Sequence, residues 1–173
     1  MTRYAAFLRG VNVSGTTMKM ADVAAAFTDT GFKNVKTILA SGNVLLDSGA
    51  AAKTVRTKAE AALRDAFGYE AWVLVYDLET LRAIADGYPF EPEVEGYHSY
   101  VTFVSDPAIL DELADLAGEA GPDEKIERGD GVLYWQVPKS STLDSAVGKT
   151  MGKKRYKSST TTRNLRTLAK VLT

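Results

Sequence analysis

The sequence has no cysteine and a single histidine among its 173 residues. Without thiols there is no disulfide, thiolate metal site, iron–sulfur ligation or cysteine nucleophile. The one imidazole, His98, stands between Tyr97 and Ser99 at the start of an expected strand. No second histidine completes a typical zinc set, and nothing marks a serine as its partner, so a packing or capping role is the default. No metal and no cofactor are expected. The N-terminal run MTRYAAFLRGVN reaches Arg9 and Gly10 after a few apolar residues. That is too short for the apolar core of a signal peptide and far short of a membrane span, so a cytoplasmic location without a membrane partner is expected.

Acidic residues are missing from the end of the chain. All 22 lie between Asp22 and Asp144, so the first 144 residues, with thirteen Lys and Arg, carry a net −9, while Ser145–Thr173 holds eight Lys and Arg, a net +8. Either the tail folds back onto the acidic body or it meets an anion such as phosphate or nucleic acid; the first is the simpler expectation. What is present is ordinary globular usage, 45% hydrophobic, 25% charged and 9% aromatic, enough for a core that needs no ligand to fold.

The largely apolar run Tyr4–Arg9 reads as a buried strand. Met20, Val23, Ala24 and Phe27 then fall on one helical stripe, with Gly31 placed for a left-handed cap. VKTIL and VLLD are strands joined through Ala40-Ser41-Gly42-Asn43, whose glycine and asparagine can supply positive φ. The helix AAKTVRTKAEAALRDAF, ending at Gly68, and the strand AWVLVY complete a β-α-β-β-α-β order over residues 1–76. This order predicts a ferredoxin-like unit, an α/β plait with two helices on one face of a four-stranded antiparallel sheet.

Residues 77–173 read as a second, similar unit. Asp77 caps the helix DLETLRAIADG, the Pro- and Gly-containing YPFEPEVEG is an exposed connection, and SYVTFV is a strand. Asp106-Pro107 opens a helix through Leu110, Leu113, Ala114 and Ala117 that stops near Gly118. EKIER and VLYWQV flank the turn Gly129-Asp130-Gly131, and a helix is expected from Leu143. The last segment, TTTRNLRTLAKVL, places Leu165, Leu168, Ala169 and Leu172 on one stripe and is expected to pack as a terminal helix. The fold class is thus α+β, two tandem α/β units with a C-terminal helix.

Three separated stretches, LRGVNVSG at Leu8–Gly15, MADVAAAFTDTGFKNVKTILASGNVLLD at Met20–Asp47 and TTRNLRT at Thr161–Thr167, together resemble the bacterial family catalogued as domain of unknown function 1697. That family shows a strand ending in LRGINVGG, a helix ending in GF-x-NV, SGN in a hairpin and an RN-x-x-T helix near the C-terminus. Val11 and Ser14 depart from the pattern in ways that affect loop flexibility more than chemistry. The resemblance implies a pair of α/β-plait units and no established activity.

In a split β-α-β unit the first two strands run parallel, so their C-terminal ends share an edge of the sheet. Arg9, Asn12 and Ser14 follow the first strand and Ser41 and Asn43 the second, about 10 Å away. Backbone N–H groups of a glycine-containing loop, a guanidinium and two side-chain amides can cradle phosphate or carboxylate. The plainer reading is that Asn and Gly satisfy turns while Arg9 ties the loops together. Likewise Asn164 caps the last helix by default and Arg163 reaches the acidic body; the functional version adds both, with Lys149, Lys153, Lys154, Arg155 and Lys157, as phosphate contacts. Gly148-Lys149-Thr150 is not a P-loop, because Leu143 stands where the first glycine belongs.

Three functions compete. The first is a binding module for a phosphorylated or anionic ligand, a small molecule or nucleic acid, using Arg9, Asn12, Ser41, Asn43, Arg163 and Asn164. The second, an enzyme acting on a small anionic metabolite in a cleft between the halves, lacks an evident nucleophile or general base. The third is a protein-interaction module.

Overall fold

The computed structural model describes residues 1–9, 18–39, 42–68, 70–141 and 158–173, with residues 147, 150, 153 and 156. Among them, eight strands and five α-helices form two compact units, Met1–Arg82 with Lys170–Thr173, and Ala83–Ala169. Each contains a four-stranded antiparallel sheet, so the chain is α+β as expected.

The first unit runs β1 (Thr2–Arg9), α1 (Met20–Asp29), β2 (Lys33–Ile38), β3 (Asn43–Ser48), α2 (Ala52–Phe67) and β4 (Trp72–Asp77), then enters α3 (Leu78–Asp86). The sheet order is β2-β3-β1-β4. Because β3 is antiparallel to both β1 and β2, those two are parallel with the third between them. Side chains alternate across the pleat. Tyr4, Ala6 and Leu8 of β1, Val44 and Leu46 of β3 and Val73 of β4 therefore meet Val23 and Phe27 of α1 and Val55, Ala59 and Leu63 of α2 in one core. Each helix contributes residues four apart, which lie one above the other on the same face. A fully buried leucine or phenylalanine in such a core contributes about 1.5–3 kcal/mol.

Of the expected α1 stripe, Val23 and Phe27 are fully buried and Met20 and Ala24 half-buried. Gly31 has φ +106°, which lets the chain reverse and bring Phe32 edge-on to Phe27 with ring centroids 5.6 Å apart. At the β4 edge, Glu60 reaches from α2 to accept the Val73 N–H at 2.9 Å, satisfying a donor that an edge strand would leave open.

The second unit runs β5 (Tyr97–Val104), α4 (Pro107–Ala114), β6 (Lys125–Arg128), β7 (Val132–Pro138), β8 (Thr160–Asn164) and into α5 (Leu165–Leu172). Its order, β6-β7-β5-β8, matches that of the first unit strand for strand. Asp106 caps α4, its carboxylate accepting the Ala108 N–H at 2.9 Å. The helix stops at Ala114 rather than near Gly118, because Asp115–Glu119 tightens into a 3-10 turn. At the β6–β7 hairpin a Cβ on Gly129 would lie 2.5 Å from Tyr134 Cε2 and 2.7 Å from Val132 Cγ2, so only glycine fits.

The expected terminal helix needs a correction. Its first five residues, Thr160–Asn164, are strand β8, paired antiparallel with β5 from Val104↔Thr160 to Tyr100↔Asn164. Three successive threonines, stiff at χ1, favour a pleated backbone over a helix. The stripe of α5 is also rotated from expectation, with Leu168 and Val171 buried and Ala169 exposed. The helix expected from Leu143 falls largely outside the described residues.

Asp77 caps α3 as expected, accepting the Thr80 N–H at 2.8 Å and the Thr80 hydroxyl at 2.9 Å. The backbone N–H of Thr80, foremost, holds its carboxyl below the usual carboxylate range. Asp77→Ala is expected to cost about 1 kcal/mol of unfolding free energy at neutral pH. A depressed carboxylate stabilises above its unfolded pKa and loses that contribution as pH falls through its folded pKa. Urea denaturation of the two proteins should therefore converge as pH falls below the usual carboxylate range.

Candidate functional site

The parallel relation of β1 and β2 brings the ends of both strands to one edge of the first sheet. Phe7 pairs with Asn43, and Asn43 with Ile38. The Leu8 N–H donates to the Gly42 carbonyl at 2.8 Å, carrying the ladder one step further. On the other flank of β1, Arg9 pairs with Trp72 at the start of β4. The edge thus presents, in order, Leu39, Gly42 with Asn43, Arg9 and Trp72.

Arg9 and Asn43 lie on the sheet face opposite the helices, with Ala5, Phe7, Leu45 and Leu74, all buried. Arg9 itself is half-buried, and loss of water pulls its guanidinium pKa below the ordinary arginine value. Arginine stays protonated through such a shift, so the edge holds a permanent, partly desolvated cation. At the far end of the same sheet Arg3 donates to Asn34 O at 2.7 Å and to Asp47 at 3.2 Å, and the Asn34 amide donates to Asp47 at 2.7 Å. Asn34, first among the causes, holds the Asp47 carboxyl low.

Asn43 is 1% exposed, and its amide donates to the Ile38 carbonyl at 2.8 Å across the hairpin. The turn reading of this residue is therefore realised, though its backbone is strand. The positive φ expected of Gly42 and Asn43 falls instead on Gly42, at +89°, and on Leu39, at +62°. A leucine in that region is strained. Its side chain is 46% exposed, one of two large apolar residues so open among those described.

The other candidates lie elsewhere. Arg163 and Asn164 are consecutive in β8, in the second unit, and so point to opposite faces. Arg163 is buried, donating to Thr161 Oγ1 at 2.8 Å and Thr162 O at 2.9 Å. Asn164 caps α5, its side-chain oxygen accepting the Arg166 N–H at 2.9 Å. Asn12, Ser14, Ser41, Lys149, Lys154, Arg155 and Lys157 lie outside the described residues; Lys153 is exposed. His98 stacks beside Tyr100 at 5.4 Å, and burial, then Lys139 and Arg166, lowers its pKa. Among the described residues no group of three His, Asp or Glu is placed to hold a metal ion, and no helix is long and apolar enough to cross a membrane.

The family model described as a protein of unknown function (DUF1697) matches residues 1–134. The chain belongs to this family. A solved structure, a conserved bacterial protein from Streptococcus pneumoniae, is similar with a TM-score of 0.79 at 22% identity, covering 98% of this chain and 96% of that one. At that identity the likeness concerns the fold alone. A second, an unknown protein from Galdieria sulphuraria, reaches a TM-score of 0.29 at 10% identity over 94% and 96% of the two chains, which carries no argument. No curated protein matches. In this DUF1697 chain the matched span includes Arg9 and Asn43 but ends before β8, so Arg163 and Asn164 lie beyond it.

Sequence reading missed a polar network buried in the second unit. Gln136 donates to Ser99 Oγ at 3.0 Å and to Glu91 O at 2.8 Å, and Ser99 donates to Pro92 O at 3.0 Å. A glutamine inside the apolar run VLYWQVP was the available signal. It missed equally the pairing of Arg9 with Trp72.

Two outcomes test these assignments. Asn43→Ala, which strips the Ile38 carbonyl of its donor, is expected to lose about 1–3 kcal/mol in urea unfolding without any ligand. Tyr76 is the second case: burial pushes its hydroxyl up to about 12, against the opposing charge of Arg56. The unfolded chain then deprotonates first, and stability falls as pH rises from 10.0 towards 12. Tyr76→Phe should make that alkaline decline shallower in melts followed by circular dichroism. Tyr88 and Tyr134, whose hydroxyls burial also raises, leave a residual slope.

Proposed function

We propose that this chain is a cytoplasmic binding module for a phosphorylated or otherwise anionic ligand, held at the Arg9 edge of the first sheet. The observation that carries the reading is the placement of the half-buried Arg9 beside Asn43, on one face and at the edge where β1 and β2 both end. A partly desolvated guanidinium offers a fork of donors to phosphate or carboxylate, and its interaction with an anion is less screened than at an open surface. The glycine-containing stretch from Gly10 to Thr17 then leads into α1, whose N-cap, Lys19, gives no side-chain hydrogen bond. The strand order of each unit supports the finer reading of both as ferredoxin-like plaits.

The test is a thermal-shift screen against sugar phosphates, nucleotides, dicarboxylates and short RNA and DNA at low and moderate salt, with wild type and Arg9→Ala. A melting temperature that climbs with ligand concentration in wild type and stays flat in Arg9→Ala is the expected result. If Arg9→Ala melts low yet responds to every ligand as wild type does, Arg9 is structural and the reading fails.

A further inference from the structure

Resting on that reading and narrowing it, we propose that the ligand of the Arg9 edge is a nucleotide, its ring stacked at Trp72 and Arg64 and its phosphate on Arg9. Arg9 and Trp72 are cross-strand partners, so their side chains leave the same face with Cβ atoms about 5 Å apart. Trp72 is only half-buried and stands outside the helix-side core. The other tryptophan, Trp135, is 2% exposed and packed within the second unit.

Arg64, exposed on the last turn of α2, lays its guanidinium over the Trp72 ring with Cζ 5.0 Å from the centroid. It is held there by donating from Nη2 to the Ala71 carbonyl at 2.9 Å. One indole therefore has a cation over its face and another as its cross-strand neighbour. A phosphate alone would use the cations and make no contact with the indole ring. A planar heterocycle stacks on both an indole and a guanidinium plane. A ligand carrying ring and phosphate together engages the whole edge; if the Arg64–Trp72 pair serves stability alone, it brings no preference for such a ligand.

The experiment titrates the full chain with AMP, ribose 5-phosphate and adenosine, following tryptophan emission and thermal shift together. AMP is expected to quench emission saturably and to bind at least about tenfold more tightly than either fragment, the size of effect that one stacked base supplies. In Trp72→Leu the advantage of AMP over ribose 5-phosphate should fall to about twofold or less while ribose 5-phosphate binds as before. Arg64→Gln, an exposed change that leaves the core untouched, should reduce the same advantage and guards against a Trp72 variant that does not fold. A six-nucleotide RNA separates the two sources of this chemistry. Binding no tighter than AMP assigns a free nucleotide, and tighter binding that falls steeply with salt assigns a strand. Equal affinity for AMP and ribose 5-phosphate, or an advantage that survives both variants, overturns the nucleotide while leaving an anion site intact. Failure of every phosphate compound, with an unchanged response in Arg9→Ala, removes both.

Discussion

In the first unit the pairing of β1 with both its neighbours decides what every other residue can do. Phe7 faces Asn43 on one flank and Leu74 on the other. That register sends Tyr4, Ala6 and Leu8 to the helices, and by alternation sends Arg9 to the opposite face beside Trp72. A slip of one residue would exchange the two sets, driving a guanidinium into the core formed with Phe27 and Leu63. The cost of burying an unpaired charge is several kcal/mol, far above that of any single apolar contact, so the register is strongly fixed. The polar edge follows from the apolar core.

The second unit uses the same strand order with a different interior. Where β1 carries Ala5 and Phe7 away from its helices, β5 carries Ser99, Val101 and Phe103, and Ser99 joins Gln136 in a hydrogen-bonded pair. On the helix side, the Trp135 indole donates to Thr102 Oγ1 at 2.9 Å, and Thr102 and Thr162 hydroxyls lie 2.7 Å apart. Each buried polar group is worth little net when paired and costs about 1–3 kcal/mol when left alone. Such links fix which strands may be neighbours: β8 is held to β5 by a threonine pair that an apolar substitute would not reproduce. The first unit meets the same need at its β4 edge with Glu60 on the Val73 N–H. Topology repeats while the means of securing the edge strand differs.

How much of this the sequence discloses depends on how local the cause is. The Val23–Phe27 spacing, Gly31, Asp77, Asp106-Pro107 and the Gly129–Gly131 turn act over a few residues, and each element they mark is present. Asn164 as a cap belongs with them. Strand β8 was hidden because its threonines run directly into a well-patterned helix, and the stripe beginning at Leu165 dominates any window that includes them. Leu39 in a left-handed conformation has no compositional signature, since leucine there is set by the closure of the hairpin around it. Of the expected site, the nearness of Arg9 to Asn43 was legible from strand order. Its relation to Trp72, 63 positions away, was not, because it rests on the register of two strands joined through an entire β-α-β-β-α path.

Burial at the strand-end edge is what separates Arg9 from exposed cations such as Lys153. At about 4 Å a pair of unit charges gains about 1 kcal/mol in bulk water and about 4 kcal/mol at the effective dielectric of a partly buried site. An exposed residue such as Lys153 sits near the first limit and is screened further by salt. Arg9, its pKa already lowered by the water it has lost on folding, sits nearer the second. Part of the desolvation that an anion would demand was thus met when the chain folded, at the expense of the Phe7 and Leu74 packing that surrounds the same face. Guanidinium tolerates this better than ammonium because it is more weakly hydrated and keeps its charge. Orientation requires groups fixed by the fold, and at this edge the β1–β3 and β1–β4 registers fix them.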